Sequence, residues 1–120
     1  MAKFMIVDDS RVARITIKSL IEEAGHEVIG EADNGLDGYD LYAELEPDVL
    51  TLDITMSLVS GVDCLKSIIK NFPNAKVIMI ATTAKDSQIK EVSEIGAKDV
   101  LVKPFDKEEA FKVFERVLIN

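Results

Sequence analysis

Along this chain, short unbroken apolar runs alternate with longer stretches in which apolar residues recur every three or four positions. Phe4-Met5-Ile6-Val7, stopped by Asp8-Asp9-Ser10, reads as a strand buried on both faces. Ser10 is placed to cap a helix that turns Ala13, Ile17, Leu20, Ile21 and Ala24 inward and stops at Gly25. Residues 27–32 read as a second strand, Asp33-Asn34-Gly35 as a turn, and residues 36–45 as a helix closed by Pro47. Val49-Leu50-Thr51-Leu52 is a third strand that ends at Asp53. A loop over residues 54–61 leads to a helix with Leu65, Ile68 and Ile69 inward, broken by Pro73-Asn74. Val77-Ile78-Met79-Ile80-Ala81 is the most apolar strand. Residues 86–95 predict a helix whose apolar stripe, Ile89, Val92 and Ile95, is thin; Gly96 stops it. Val100-Leu101-Val102 is the last strand and Lys103-Pro104-Phe105 a turn. Asp106 then caps a final helix with Phe111, Phe114, Val117 and Leu118 facing in.

Five such β-α units, without repeats, linkers or low-complexity tracts, predict an α/β fold. Parallel strands need crossovers, so helices must cover both faces of one parallel sheet. Right-handed crossovers leave few topologies, and five strands point to a flavodoxin-like, doubly wound sheet of order 2-1-3-4-5 with five helices, a single domain over residues 1–120. In sheets of this kind ligands gather beyond the carboxyl ends of the strands, at the switch between the first and third.

Composition narrows the function classes. The net charge is −8, from 22 acidic and 14 basic residues, which argues against non-specific binding to nucleic acid or an anionic membrane. An apolar fraction of 48% without any run of about 20 apolar residues predicts an ordinary globular protein with no membrane span. The chain moves straight into a strand-like run, which predicts no signal peptide and a cytoplasmic location. The one cysteine, Cys64, excludes an internal disulfide and a cysteine-built zinc site, and its helical position between Val62 and Leu65 suits a core thiol. The one histidine, His26, falls in the turn after Gly25 and reads as a surface turn residue.

The fold places four charged residues at one edge. Asp8 and Asp9 end the first strand, Asp53 the third and Lys103 the fifth. Taken singly, the acid pair also suits a helix N-terminus and the others suit turn and surface positions; their meeting in one crevice is what suggests chemistry. Three carboxylates this close repel, so a cation or protonation must relieve them. Magnesium favours hard oxygen donors and is commonly held by one or two carboxylates together with phosphate oxygens. Asp53 can attack phosphorus as a carboxylate nucleophile, with magnesium and Lys103 neutralising the transferring group.

Val7-Asp8-Asp9-Ser10-Arg11, Leu52-Asp53-Ile54-Thr55-Met56 with Gly61 downstream, and Val102-Lys103-Pro104-Phe105 resemble the response-regulator receiver family, and the resemblance to its chemotaxis-type single-domain members runs through the whole chain. It implies Asp53 as phosphoacceptor, a magnesium ion on Asp8, Asp9, Asp53 and the backbone carbonyl of Thr55, and Lys103 on the phosphoryl group, with a cis bond before Pro104. It also implies a histidine kinase as phosphodonor and a downstream target protein, a flagellar motor or archaellum adaptor among them. The protein would then be a monomeric switch that catalyses its own phosphorylation and dephosphorylation rather than a conventional enzyme.

Three positions depart from the family pattern. Ser57 stands where proline is usual. Counting back from Lys103, Ala81 takes the hydroxyl position at the end of the fourth strand, with Thr82 and Thr83 next as candidates to serve in its place. Val100 takes the position of an aromatic in the fifth strand. The departures predict intact phosphoryl chemistry with altered coupling to the output face, formed by the last strand and its flanking helices. A pseudo-receiver that binds partners without phosphorylation and a receiver piece of a larger transcriptional regulator are the alternatives. A flavodoxin-like electron carrier is disfavoured, because Asp8-Asp9 would repel a flavin phosphate.

Overall fold

In the computed structural model, which describes residues 1–83 and 87–119, five strands alternate with five helices. They are β1 (Lys3–Val7), α1 (Arg11–Glu23), β2 (Glu27–Ala32), α2 (Gly35–Leu45), β3 (Val49–Asp53), α3 (Gly61–Asn71), β4 (Val77–Ala81), α4 (Gln88–Ile95), β5 (Asp99–Val102) and α5 (Lys107–Ile119). All pairings are parallel and the strand order is β2-β1-β3-β4-β5. This is the flavodoxin-like arrangement expected from the alternation of runs.

The apolar runs work as anticipated because a strand sends successive side chains to opposite faces. Met5, Val7, Leu50, Leu52, Val77, Met79 and Ala81 join one core cluster with the inner faces of α2, α3 and α4. Phe4, Ile6, Val49, Ile78, Ile80 and Leu101 join a second cluster with α1 and α5. Cys64 is buried in the first cluster, and burial pushes its thiol up to about 12, so it serves as a small core side chain.

Helix starts follow the sequence. The Ser10 hydroxyl accepts from Ala13 N–H, Asn34 from Asp37 N–H, Ser60 from Asp63 N–H, and the Asp106 carboxylate from Glu109 N–H. Asn34 is thus a helix cap rather than only a turn residue, and α2 begins at Gly35, one position earlier than expected. β5 likewise begins one position early, at Asp99. The start expected for the fourth helix, residue 86, lies outside the described residues; from Gln88 onward only Val92 is fully buried, in keeping with a thin stripe.

His26 departs from its expectation. Its ring stacks on Phe4 at 5.2 Å between centroids, and its Nδ1 accepts from Ala2 N–H at 3.0 Å. The turn after α1 folds back against the start of β1, where Glu27 N–H donates to Ala2 O, so the histidine is packed rather than free at the surface. No helix among the described residues is long and apolar enough to cross a membrane.

Candidate functional site

Strand alternation aims the charged groups. Asp8 lies two positions beyond Ile6, Asp53 two beyond Thr51, and Lys103 two beyond Leu101, so all three share the parity of the α1/α5 face where the strands run out. β1 and β3 are neighbours in the sheet, which brings the first acid pair beside Asp53 although 45 residues separate Asp8 from Asp53. Lys103 is anchored to the end of β4 by its own N–H, which donates to Ala81 O at 2.8 Å; the Lys103–Pro104 bond is cis.

The result is a compact acidic crevice. One carboxylate oxygen from each of Asp8, Asp9 and Asp53 lies within 4.8 Å of the others. Asp8 and Asp53 are buried while Asp9 is exposed. Lys103 Nζ stands 3.6 Å from Asp8 Oδ2 and 3.8 Å from Asp53 Oδ2. Backbone donors hold the other oxygens: Ser10 N–H to Asp8 Oδ1 at 2.9 Å and Thr55 N–H to Asp53 Oδ1 at 3.0 Å. Asp9 makes no hydrogen bond or ion pair among the described residues.

Burial, then the neighbouring Asp8 carboxylate, raise the Asp53 carboxyl to about 6, against the opposing pull of the Thr55 N–H and Lys103. Repulsion and desolvation therefore outweigh the single ammonium. Among the described residues three carboxylates face one lysine ammonium, and the donor set is hard oxygen throughout. Both features fit magnesium, which seeks a few carboxylates and retains open positions for water or phosphate oxygens. The Thr55 carbonyl, two residues past Asp53, belongs to the same loop.

That loop is tied down by Gly61. A Cβ at this position would fall 1.9 Å from Asp53 O and 2.7 Å from Ile54 Cα, so only glycine lets α3 start so close behind the third strand's last residue. Gly61 N–H closes the loop by donating to Ile54 O at 2.9 Å. Between them Leu58 is held at φ 65° with its side chain exposed, and Ser57 is exposed beside it.

The structure brings Asp8, Asp9, Asp53 and Lys103 together. Ala81 pairs with Val102, one position past the Asp53–Ile80 pair, and is fully buried in the first core cluster. No hydroxyl stands there. Thr82 and Thr83 follow the strand and are exposed. Val100 is half-buried against the same cluster. Sequence reasoning gave no role to Arg14, whose Nη1 donates to the Asp8 carbonyl oxygen at 2.7 Å; its only signal was a cation one helical turn into α1.

The comparisons with known proteins agree with this geometry. Chemotaxis protein CheY of Thermotoga maritima is 40% identical over 115 residues, 96% of each chain. Protein CcdB of Bacillus subtilis is 38% identical over 118 residues, 98% of each chain. Among solved structures, the CheX-CheY-BeF3-Mg2+ complex from Borrelia burgdorferi superposes with a TM-score of 0.87 at 34% identity, covering 98% of this chain and 87% of that one. The response regulator receiver domain family matches residues 4–115, and the chain belongs to that family of two-component receiver domains, CheY-like in sequence and in fold.

Proposed function

We propose that the protein is a phosphorylation-switched signalling domain in which Asp53 accepts a phosphoryl group from a histidine kinase. The observation that carries this reading is a buried carboxylate with a lysine ammonium 3.8 Å from one oxygen and two further carboxylates beside it. An Asp53 oxygen forms the new bond to phosphorus as the phosphorus–nitrogen bond of phosphohistidine breaks. The departing imidazole keeps the electron pair. Lys103 Nζ lies where it can neutralise a developing phosphoryl oxygen, and the Thr55 N–H holds the non-attacking carboxylate oxygen. Asp8, Asp9, Asp53 and the Thr55 carbonyl would hold magnesium, which supplies charge neutralisation on the phosphoryl oxygens. The Borrelia relative was solved with BeF3 and Mg2+, which supports this choice of ion.

Burial serves the nucleophile too. A carboxyl raised to about 6 is ionised at neutral pH yet poorly solvated, so it is ready to attack. Output runs through β5 and the flanking α4 and α5 to a downstream target, in the cytoplasm; the CheY relatives favour a chemotaxis pathway. The missing hydroxyl at Ala81 and the small Val100 favour a muted response of that face. Thr82 or Thr83 supplies any hydroxyl contact to the phosphoryl group. Incubation with a small acyl phosphate and magnesium, followed by intact-mass measurement, tests the reading. The unmutated protein gains one phosphoryl group and Asp53→Asn gains none; uptake by the variant rejects Asp53 as acceptor.

A further inference from the structure

Every polar atom of Asp8 has a partner. Its N–H donates to Ala32 O at 3.1 Å, its Oδ1 accepts from Ser10 N–H, its Oδ2 faces Lys103, and its carbonyl oxygen accepts from Arg14 Nη1 at 2.7 Å. The last of these is of a different kind. The Asp8 carbonyl belongs to the peptide that joins Asp8 to Asp9, so the bond fixes that peptide plane and with it the direction in which the Asp9 side chain leaves the backbone. Asp9 has nothing else to aim it: its carboxylate is exposed and makes no hydrogen bond or ion pair among the described residues. The guanidinium is itself held, 3.5 Å from Glu31 on β2, and its side chain is only 18% exposed. Glu31 also offsets its charge, so the clamp adds little positive field to a crevice that must receive a cation.

We propose that Arg14 is a positioning residue for the metal site: it locks the Asp8–Asp9 peptide against β2 and thereby presents Asp9 to the ion. The inference rests on the magnesium reading above, and its test separates the two. Magnesium binding is measured by titration calorimetry on the unmutated protein, Arg14→Gln and Arg14→Lys, with metal-free melting recorded alongside. Charge alone leaves magnesium binding by Arg14→Gln unchanged or slightly tighter, because only a positive charge largely offset by Glu31 is gone. Positioning makes it bind more weakly, by roughly tenfold or more as for lost outer-shell partners of metal ligands. Arg14→Lys keeps the charge but cannot span Asp8 O and Glu31 with a rigid fork, so it too binds more weakly; it decides the matter if Arg14→Gln does not fold. Phosphoryl uptake at saturating magnesium then returns to that of the unmutated protein, because Asp53 and Lys103 are untouched. Unchanged or tighter magnesium binding in both folded variants overturns the clamp. So does uptake that stays low at saturating magnesium, which would place the damage in the fold rather than the ligand. An unmutated protein that binds no magnesium overturns the metal reading itself, and the clamp with it.

Discussion

Replacing Asp53 by asparagine in metal-free protein should stabilise the fold, and the gain should depend on pH in a defined direction. The carboxyl sits at about 6 in the folded chain against an ordinary 3.8. Below about pH 4 it is protonated in both the folded and unfolded states, and the substitution changes little. Between those values the folded chain holds more protons than the unfolded one, so this group's contribution to stability falls as pH rises, and above pH 6 the full penalty applies. A displacement of this size corresponds to roughly 3 kcal/mol, and water at the crevice rim brings the expected value nearer 2 kcal/mol. The asparagine oxygen can keep the Thr55 N–H bond and Lys103 keeps Asp8 as its partner, so the charge is what the substitution removes. Urea unfolding followed by circular dichroism, with a chelator present, should show the variant more stable near neutral pH and the two proteins converging in acid. Magnesium should shrink or reverse the difference, because it compensates the carboxylate that the variant lacks. A variant no more stable than its parent at neutral pH, or one with an equal gain in acid, would refute the claim that Asp53 is destabilised by burial and by Asp8.

Magnesium should stabilise the unmutated protein by about 2.7 kcal/mol at a hundredfold excess over Kd, and Asp9→Ala should remove most of that gain. With no tryptophan in the chain, scanning calorimetry is the natural probe, and coincident melts with and without the ion would dismiss the metal site. Gly61→Ala should cost at least about 2 kcal/mol, since the new methyl meets backbone rather than a movable side chain. It should also slow phosphoryl uptake by displacing the Asp53 peptide, and a variant with unchanged melting and uptake would show that the loop yields freely. A charge-assisted hydrogen bond is worth about 1.5–3 kcal/mol, so with no hydroxyl at Ala81, phosphorylation should change amide exchange over residues 86–120 only weakly unless Thr82 or Thr83 compensates. Strong new protection there with a phosphate mimic bound to a Thr82→Ala, Thr83→Ala protein would show that neither hydroxyl is needed.

Much of the site was legible in the sequence because strand ends are legible. A buried strand must be apolar without interruption, so the first charge after Val7, Leu52 and Val102 marks where each strand leaves the core, and parallel order sends all three ends to one edge. Ala81 was legible in the same way, from its count to Lys103, and the hydrogen bond between Lys103 N–H and Ala81 O fits that count. What the pattern could not carry were contacts made through backbone atoms. His26 looked like a surface turn residue because nothing in its neighbours records that Ala2 N–H would need an acceptor. Gly61 was visible as a motif glycine, but its reason is the carbonyl of Asp53 behind it. Arg14 was invisible for the same cause, since its partner is a carbonyl that every residue possesses. The distinction has a physical basis. Periodicity reports which side chains avoid water, whereas the direction of a catalytic or ligating group is set by the peptide plane from which it departs. Asp9 can be recognised as an acid from its letter alone, but the peptide plane from which its side chain departs is held by a bond that its neighbour's carbonyl receives from Arg14.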